Sequence, residues 1–231
     1  MLRVILIPII VAGVIAYIRS IFARQAMYKD LEVNSDLIDD PELEAVIRRI
    51  GRQVGIDHLT ARLYKQDVVN GMAVPDGRIF ITTGLFERYQ RGEFTSQEIG
   101  SVIAHELGHV ARGHAKQRMR DITGGSAANV ALAMVLNRFI PFVGIYLANM
   151  ITGAYMSKIS RKNEFEADEY ASALMISAGI GVDPQISMFE KLEARAPGGR
   201  GIAWLSSHPM PEERIKVIRA NHQKWDLAKR G

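Results

Sequence analysis

Cysteine is absent from all 231 residues, so disulfides and thiolate ligands are both excluded, and any metal site in this chain must be built from nitrogen and oxygen. The absence says nothing about compartment. Histidine is scarce, at six residues, so any grouping of histidines carries information. Charge of one sign is only mildly in excess: the net charge is +4, and no aromatic-interleaved basic stripe argues for nucleic acid as a partner. A basic surface beside an anionic membrane accounts for that excess. Internal repeats are lacking. Apolar residues, by contrast, make up 48% of the chain, more than a soluble enzyme of 25.7 kDa needs for one sizeable core.

Among the few histidines, two stand in His105-Glu106-Leu107-Gly108-His109. Four residues apart on a helix, they project from one face within roughly 6 Å of each other, so both rings can grip one Zn²⁺. Glu106 then faces a metal-bound water as its general base, which is the arrangement of a metallopeptidase. The helix is signalled independently. Thr95-Ser96-Gln97-Glu98 reads as a capping box, and Ile99, Val102, Ile103, Leu107 and Val110 supply an apolar stripe, predicting a helix from about Ser96 to Arg120.

Zinc in a catalytic site takes three protein ligands and leaves a fourth position open. On one unbroken helix His114 points about 180° from His105 and about 140° from His109, so it is expected to be a helix-end histidine rather than a ligand. Nor does a glycine turn with a third histidine follow, since Arg112 and Ala115 occupy those places. The better source is Asn163-Glu164-Phe165-Glu166-Ala167-Asp168, expected to open a second helix at about Arg161 that runs to about Ala178 before Gly179. Glu164 and Asp168 share a face while Glu166 points elsewhere. One of the pair can bind zinc while the other accepts the free ring N–H of a ligating histidine.

Val4 to Ile18 is uncharged between Arg3 and Arg19, and about 15 helical residues span about 22 Å. Against a bilayer core of about 30 Å this is short, but Leu2, Ile21 and Phe22 extend it and the arginines snorkel. No small-x-small cleavage site follows, so an uncleaved anchor over residues 1–24 is expected, in an orientation that the balance of Arg3 against Arg19, Arg24 and Lys29 leaves open. A second apolar stretch, Ala127 to Met156, is broken by Asn137, Arg138 and Pro141. We expect a helical pair over the active-site cleft or at the membrane surface, with a transmembrane hairpin as the alternative.

The expected fold is α+β: a predominantly helical zincin-like metalloprotease domain with a small sheet, residues 25–231, behind the anchor. Asp39-Asp40-Pro41 starts a helix whose Leu43, Val46, Ile47, Ile50 and Val54 face the core. Asp30 to Asp40 reads as a linker. Leu59 to Gln66 and Arg78 to Thr83 read as strands joined by a turn at Asp76-Gly77. Ala196 to Gly201 reads as a mobile loop leading to His208, and Pro211 opens the last helix.

These blocks, with Ser207-His208-Pro209 and Arg214-Ile215 downstream and Asn70-Gly71-Met72-Ala73-Val74-Pro75 upstream, resemble the membrane-associated zinc endopeptidases of the HtpX and CAAX prenyl protease family, of gluzincin type. The likeness runs from about 68 to 216 in the family's order. It implies one Zn²⁺ held by His105, His109 and Glu164, Glu106 as base, and Asp168 orienting a ligating histidine, His105. His208 is implied to approach the site late in the chain, as oxyanion ligand or as a plug of the open position. Substrate backbone is expected to pair along Arg78, Ile79, Phe80, Ile81 and Thr82. Function then reads as proteolysis of unfolded or membrane proteins at a lipid bilayer, the bacterial inner membrane by analogy. A membrane-tethered zinc-binding scaffold with a latent site and a prenyl-peptide protease are the alternatives.

Overall fold

Thr95 caps the helix that carries the HELGH run: the Glu98 amide donates to its hydroxyl at 3.2 Å, and its own amide donates to the Glu98 carboxylate at 2.8 Å. The computed structural model describes residues 2–74, 76–140, 143–195, 203–209 and 211–230, so the loop expected over Ala196 to Gly201 lies outside the described residues. In chain order the elements are α1 (Leu2–Val33), β1 (Ser35–Leu37), α2 (Pro41–Gln53), β2 (Ala61–Tyr64), β3 (Gly71–Ala73), β4 (Ile79–Thr82), α3 (Thr83–Gln90), α4 (Ser96–Ala111), α5 (His114–Phe139), α6 (Gly144–Ser177), α7 (Asp183–Arg195), α8 (Ala203–Ser207) and α9 (Pro211–Arg230). The chain is thus α+β and predominantly helical, as expected.

Two compact units emerge. Residues 34–114 and 163–231 make one, and residues 1–33 and 115–162 the other. In the first, a four-stranded sheet runs in the order β1-β2-β4-β3, with β2 and β4 parallel and both outer pairings antiparallel. The strands read as neighbours are therefore a parallel pair, and the Asp76-Gly77 turn joins β3 to β4 instead. Gly77 accommodates that turn at φ 92°. The stretch read as a linker contributes β1, which pairs with β2.

Helix α2 begins as its sequence predicts, with Asp40 Oδ1 accepting from the Leu43 amide at 2.8 Å and Pro41 in the first turn. Its Leu43, Ile47 and Ile50 are buried in one core with Ile99 and Ile103 of α4 and Ile79 and Ile81 of β4. Each such aliphatic burial contributes about 1.5–3 kcal/mol. Helix α4 is sunk in this core along most of its length.

Both helix boundaries around the motif differ from expectation. Helix α4 stops at Ala111, not near Arg120, because Gly113 takes φ 68° and turns the chain before α5 starts. Helix α6 starts at Gly144, well before Arg161: the intervening sequence has no proline, and a lone Gly153 costs a helix only about 1 kcal/mol. Glu164 therefore sits mid-helix. The C-terminal stop is as predicted, with Gly179 at φ 66° donating to the Ile176 carbonyl.

In the second unit the pair expected over Ala127 to Met156 exists as parts of the longer helices α5 and α6, and Asn129 donates to Asn149 at 2.8 Å between them. The expected anchor segment forms part of α1, with the side chains of residues 1–9 outside the described residues. Among the described residues, no helix is long and apolar enough to cross a membrane.

Candidate metal centre

Four side chains from three parts of the chain converge on one point. Helix α4 supplies His105 and His109 one turn apart, α6 supplies Glu164, and the residue after α8 is His208. Their approach depends on Gly108, where a Cβ would stand 2.8 Å from the Ala167 carbonyl oxygen and 2.9 Å from its Cα. The glycine of HELGH thus lets the α6 backbone lie directly against α4, which is what carries Glu164 to the histidines.

The donor atoms of His105, His109, Glu164 and His208 all lie within 4.8 Å of one another. His105 Nε2 is 3.1 Å from His109 Nε2 and 3.2 Å from His208 Nδ1. Glu164 Oε2 is 2.8 Å from His208 Nδ1 and 3.4 Å from His105 Nε2, and its Oε1 is 3.5 Å from His109 Nε2. Four donors set tetrahedrally about 2.0–2.1 Å from one zinc ion stand roughly 3.3 Å apart, so the spacing fits such an ion.

Electrostatics favour a cation at this point. Burial and the Arg214 charge oppose protonation of His105, yet Asp168 and Glu164 outweigh them and raise its pKa to about 9. Their pull acts on any positive charge at Nε2, whether proton or metal. Burial, then the charge of His105, push His109 down to about 2, leaving it neutral as a metal ligand must be. For Glu164, burial works against ionisation, but hydrogen bonds to His105 and His208 hold it well below the usual carboxylate range.

Behind His105, Nδ1 meets Asp168 Oδ1 at 2.9 Å. Asp168 is in turn gripped by the fully buried Arg214, whose charge overcomes the cost of burial and lowers the Asp168 pKa. The guanidinium packs against the rings of both Phe189 and Trp204, 4.5 and 5.0 Å from their centroids, and donates to the His208 carbonyl at 3.2 Å. Trp204 stacks on the His208 imidazole with centroids 5.0 Å apart. Neither Arg214 nor Trp204 carries a local sequence pattern that marks it for this place. Their only signal was the position of Arg214-Ile215 shortly after His208.

Glu106 stands beside the cluster. Its Oε2 accepts from the Ala73 amide at 3.0 Å, while Oε1 is buried without a hydrogen bond, 3.4 Å from His208 Nε2. An unsatisfied buried carboxylate oxygen aimed at a cluster of donors calls for a partner.

Two expectations need correction. Strand β4, with Ile79, Phe80, Ile81 and Thr82 all buried, is paired on both sides, so no substrate strand can add along Arg78 to Thr82. The strand at that end of the sheet is β3, which faces Glu106 through Ala73. His114 does not point away either: the turn at Gly113 returns its Nδ1 to 2.9 Å from His109 Nδ1. Glu166 stays off the donor cluster, as expected, and reaches His114 Nε2 at 3.1 Å.

A buried cluster of two helix-spaced histidines and a carboxylate from a second helix, with a glutamate alongside, defines the class as metallopeptidase. The chain belongs to peptidase family M48, whose family profile matches residues 38–222. It is 30% identical over 177 residues to metalloprotease LoiP of Escherichia coli, covering 77% of this chain and 68% of that protein. With metalloprotease YcaL of the same organism it shares 29% identity over 177 residues, 77% of this chain and 67% of YcaL. It is also 26% identical over 213 residues to a putative beta-barrel assembly-enhancing protease of Vibrio cholerae, covering 87% of this chain and 43% of that protein.

Proposed function

We propose that this protein is a zinc-dependent endopeptidase acting on unfolded or membrane proteins in protein quality control. The observation that carries it is the convergence of His105, His109, Glu164 and His208 at tetrahedral spacing beside the unsatisfied Glu106 Oε1. Zinc bound there supplies a Lewis acid that polarises the scissile carbonyl and lowers the pKa of water. Glu106 takes a proton at Oε1 and returns it to the leaving amine, its other oxygen held in register by the Ala73 amide. Asp168 keeps the His105 proton on Nδ1, freeing Nε2 as a ligand. Substrate backbone lies along β3, the sheet strand next to the base.

His208 has two roles in this reading. Its Nδ1 lies with the three other donors, which supports a resting state in which the fourth position is latched. Swung outward, the same ring is within reach of an oxyanion.

Membrane association is supported by exposed apolar side chains near the α5–α6 connection, where Phe139 and Tyr146 are 78% and 75% exposed. The name of the Vibrio cholerae relative, which refers to beta-barrel assembly, supports beta-barrel membrane proteins as substrates. A second reading, a zinc-binding scaffold, draws on the four-residue donor set, because structural zinc sites are closed by four ligands. Glu106 separates the two, since a scaffold needs no base. Digestion of unfolded casein by the purified protein decides between them: the peptidase cleaves it, stops on chelation and resumes with Zn²⁺. A protein that binds zinc tightly and leaves casein intact is the scaffold.

A further inference from the structure

His109 has a backing of its own, distinct from the ionic one behind His105. His114 is 4% exposed, one residue past the Gly113 turn, with its ring edge-on to His109 at a centroid distance of 5.0 Å. Its Nδ1 is 2.9 Å from His109 Nδ1 and its Nε2 is 3.1 Å from Glu166 Oε2. Glu166 lies on α6 two residues beyond Glu164, so one helix carries both a carboxylate at the donor cluster and a carboxylate at this second ring.

Only one proton arrangement satisfies the row with neutral rings. A carboxylate oxygen only accepts, so His114 must carry its proton on Nε2 and donate to Glu166. Its Nδ1 is then a lone pair, and His109 must place its proton on Nδ1 to donate to it. That leaves the His109 Nε2 lone pair facing the donor cluster, as a ligand requires. The opposite tautomer of His109 would set two lone pairs against each other 2.9 Å apart.

We propose that His114 and Glu166 are positioning residues that select the ligating tautomer of His109 and hold its ring, a relay that parallels Asp168 and Arg214 behind His105. The proposal rests on the zinc reading given above. The two halves of the site differ in kind. His105 is backed by a fully buried ion pair, whereas Glu166, the carboxylate behind His114, is one-third exposed.

The test is the zinc dissociation constant of the full chain, read by competition with a fluorescent chelator, for wild type, His105→Ala, His114→Ala, His114→Asn, Glu166→Ala and the His114/Glu166 double mutant. Removing the partner of a ligating histidine weakens affinity about 10- to 100-fold, and His114→Ala is expected in that range. His114→Asn restores most of it, because the asparagine Oδ1 stands near the lost Nδ1 and accepts the same proton. Glu166→Ala weakens binding less than His114→Ala, and the double mutant is no worse than His114→Ala, because the two act in series. Zinc affinity unchanged in His114→Ala, or additive losses in the double mutant, overturns the relay. Weak zinc binding by wild type, or no loss in His105→Ala, instead overturns the zinc reading itself. Should His114→Ala fail to fold, as shown by melting of the chelated proteins, His114→Asn and Glu166→Ala, at a side chain one-third exposed, carry the comparison.

Discussion

Arg214 grips Asp168 through two hydrogen bonds, Nε to Oδ2 at 2.6 Å and Nη2 to Oδ1 at 2.7 Å, and Asp168 in turn meets His105 Nδ1. All three residues are essentially solvent-free. A buried carboxylate beside a ligand needs its charge compensated before any metal arrives, and the arginine does this while its planar fork fixes the carboxylate plane.

Arg214→Ala therefore leaves Asp168 charged and buried without its arginine, held only by His105 and Gln185, and breaking a buried ion pair in this way costs about 3–5 kcal/mol. Lysine cannot reproduce the two-pronged grip, so Arg214→Lys also destabilises, by a smaller amount. Urea unfolding of the chelated proteins measures both. Wild-type stability in Arg214→Ala would show that the ion pair contributes nothing.

Glu106→Gln keeps the shape of the side chain and an oxygen for the Ala73 amide, but it cannot accept a proton. Fold and zinc content are expected to be retained while turnover falls about 10²- to 10⁴-fold, the usual loss with a general base. Near-normal turnover at full zinc occupancy would refute the assignment of Glu106.

His208→Ala distinguishes latch from oxyanion ligand. With Nδ1 among the four donors, the expected outcome is a rise in basal peptide cleavage as the fourth position opens. A fall in kcat of about 10²-fold with little change in KM would assign the ring to the oxyanion instead. Unchanged kcat and KM would remove both roles.

Glu98 does more than complete the capping box: its carboxylate also receives Lys191 Nζ at 2.8 Å and the Ser187 hydroxyl, tying α4 to α7. Burial opposes its ionisation, but Lys191, Ser187 and the Thr95 amide prevail and lower its pKa. A carboxyl with a depressed folded-state pKa stabilises the fold above its unfolded value and loses that contribution as pH falls through the folded value. Glu98→Gln should therefore cost about 1.5–3 kcal/mol near neutrality, the range for hydrogen bonds to a charged group. The gap from wild type should narrow only below the ordinary glutamate value of about 4.3. Denaturant melts of both proteins from pH 7 to pH 3 measure it, and a gap independent of pH would show that the charge is immaterial.

Short-range signals determined much of this protein from sequence alone. The capping box at Thr95, the Asp40-Pro41 start of α2, the pairing of His105 with His109 and the Gly179 stop each depend on residues within about two helical turns. Helix geometry enforces these relations wherever the helix sits, and the shared face of Glu164 and Asp168 follows from the same rule. Tertiary structure decided what depends on distant partners. Strand β4 looks like any half-buried strand, and only the insertion of β3 beside it makes it interior. Arg214 reads as a surface charge until α9 carries it against Phe189 and Trp204 and onto Asp168. His114 lies on the far side of an ideal helix from His105, and one glycine in the left-handed region breaks that helix and brings the ring back to His109. Helical periodicity predicts a residue's direction only while the helix continues, and whether it continues through Arg112-Gly113 depends on the free energy of packing on both sides of the turn.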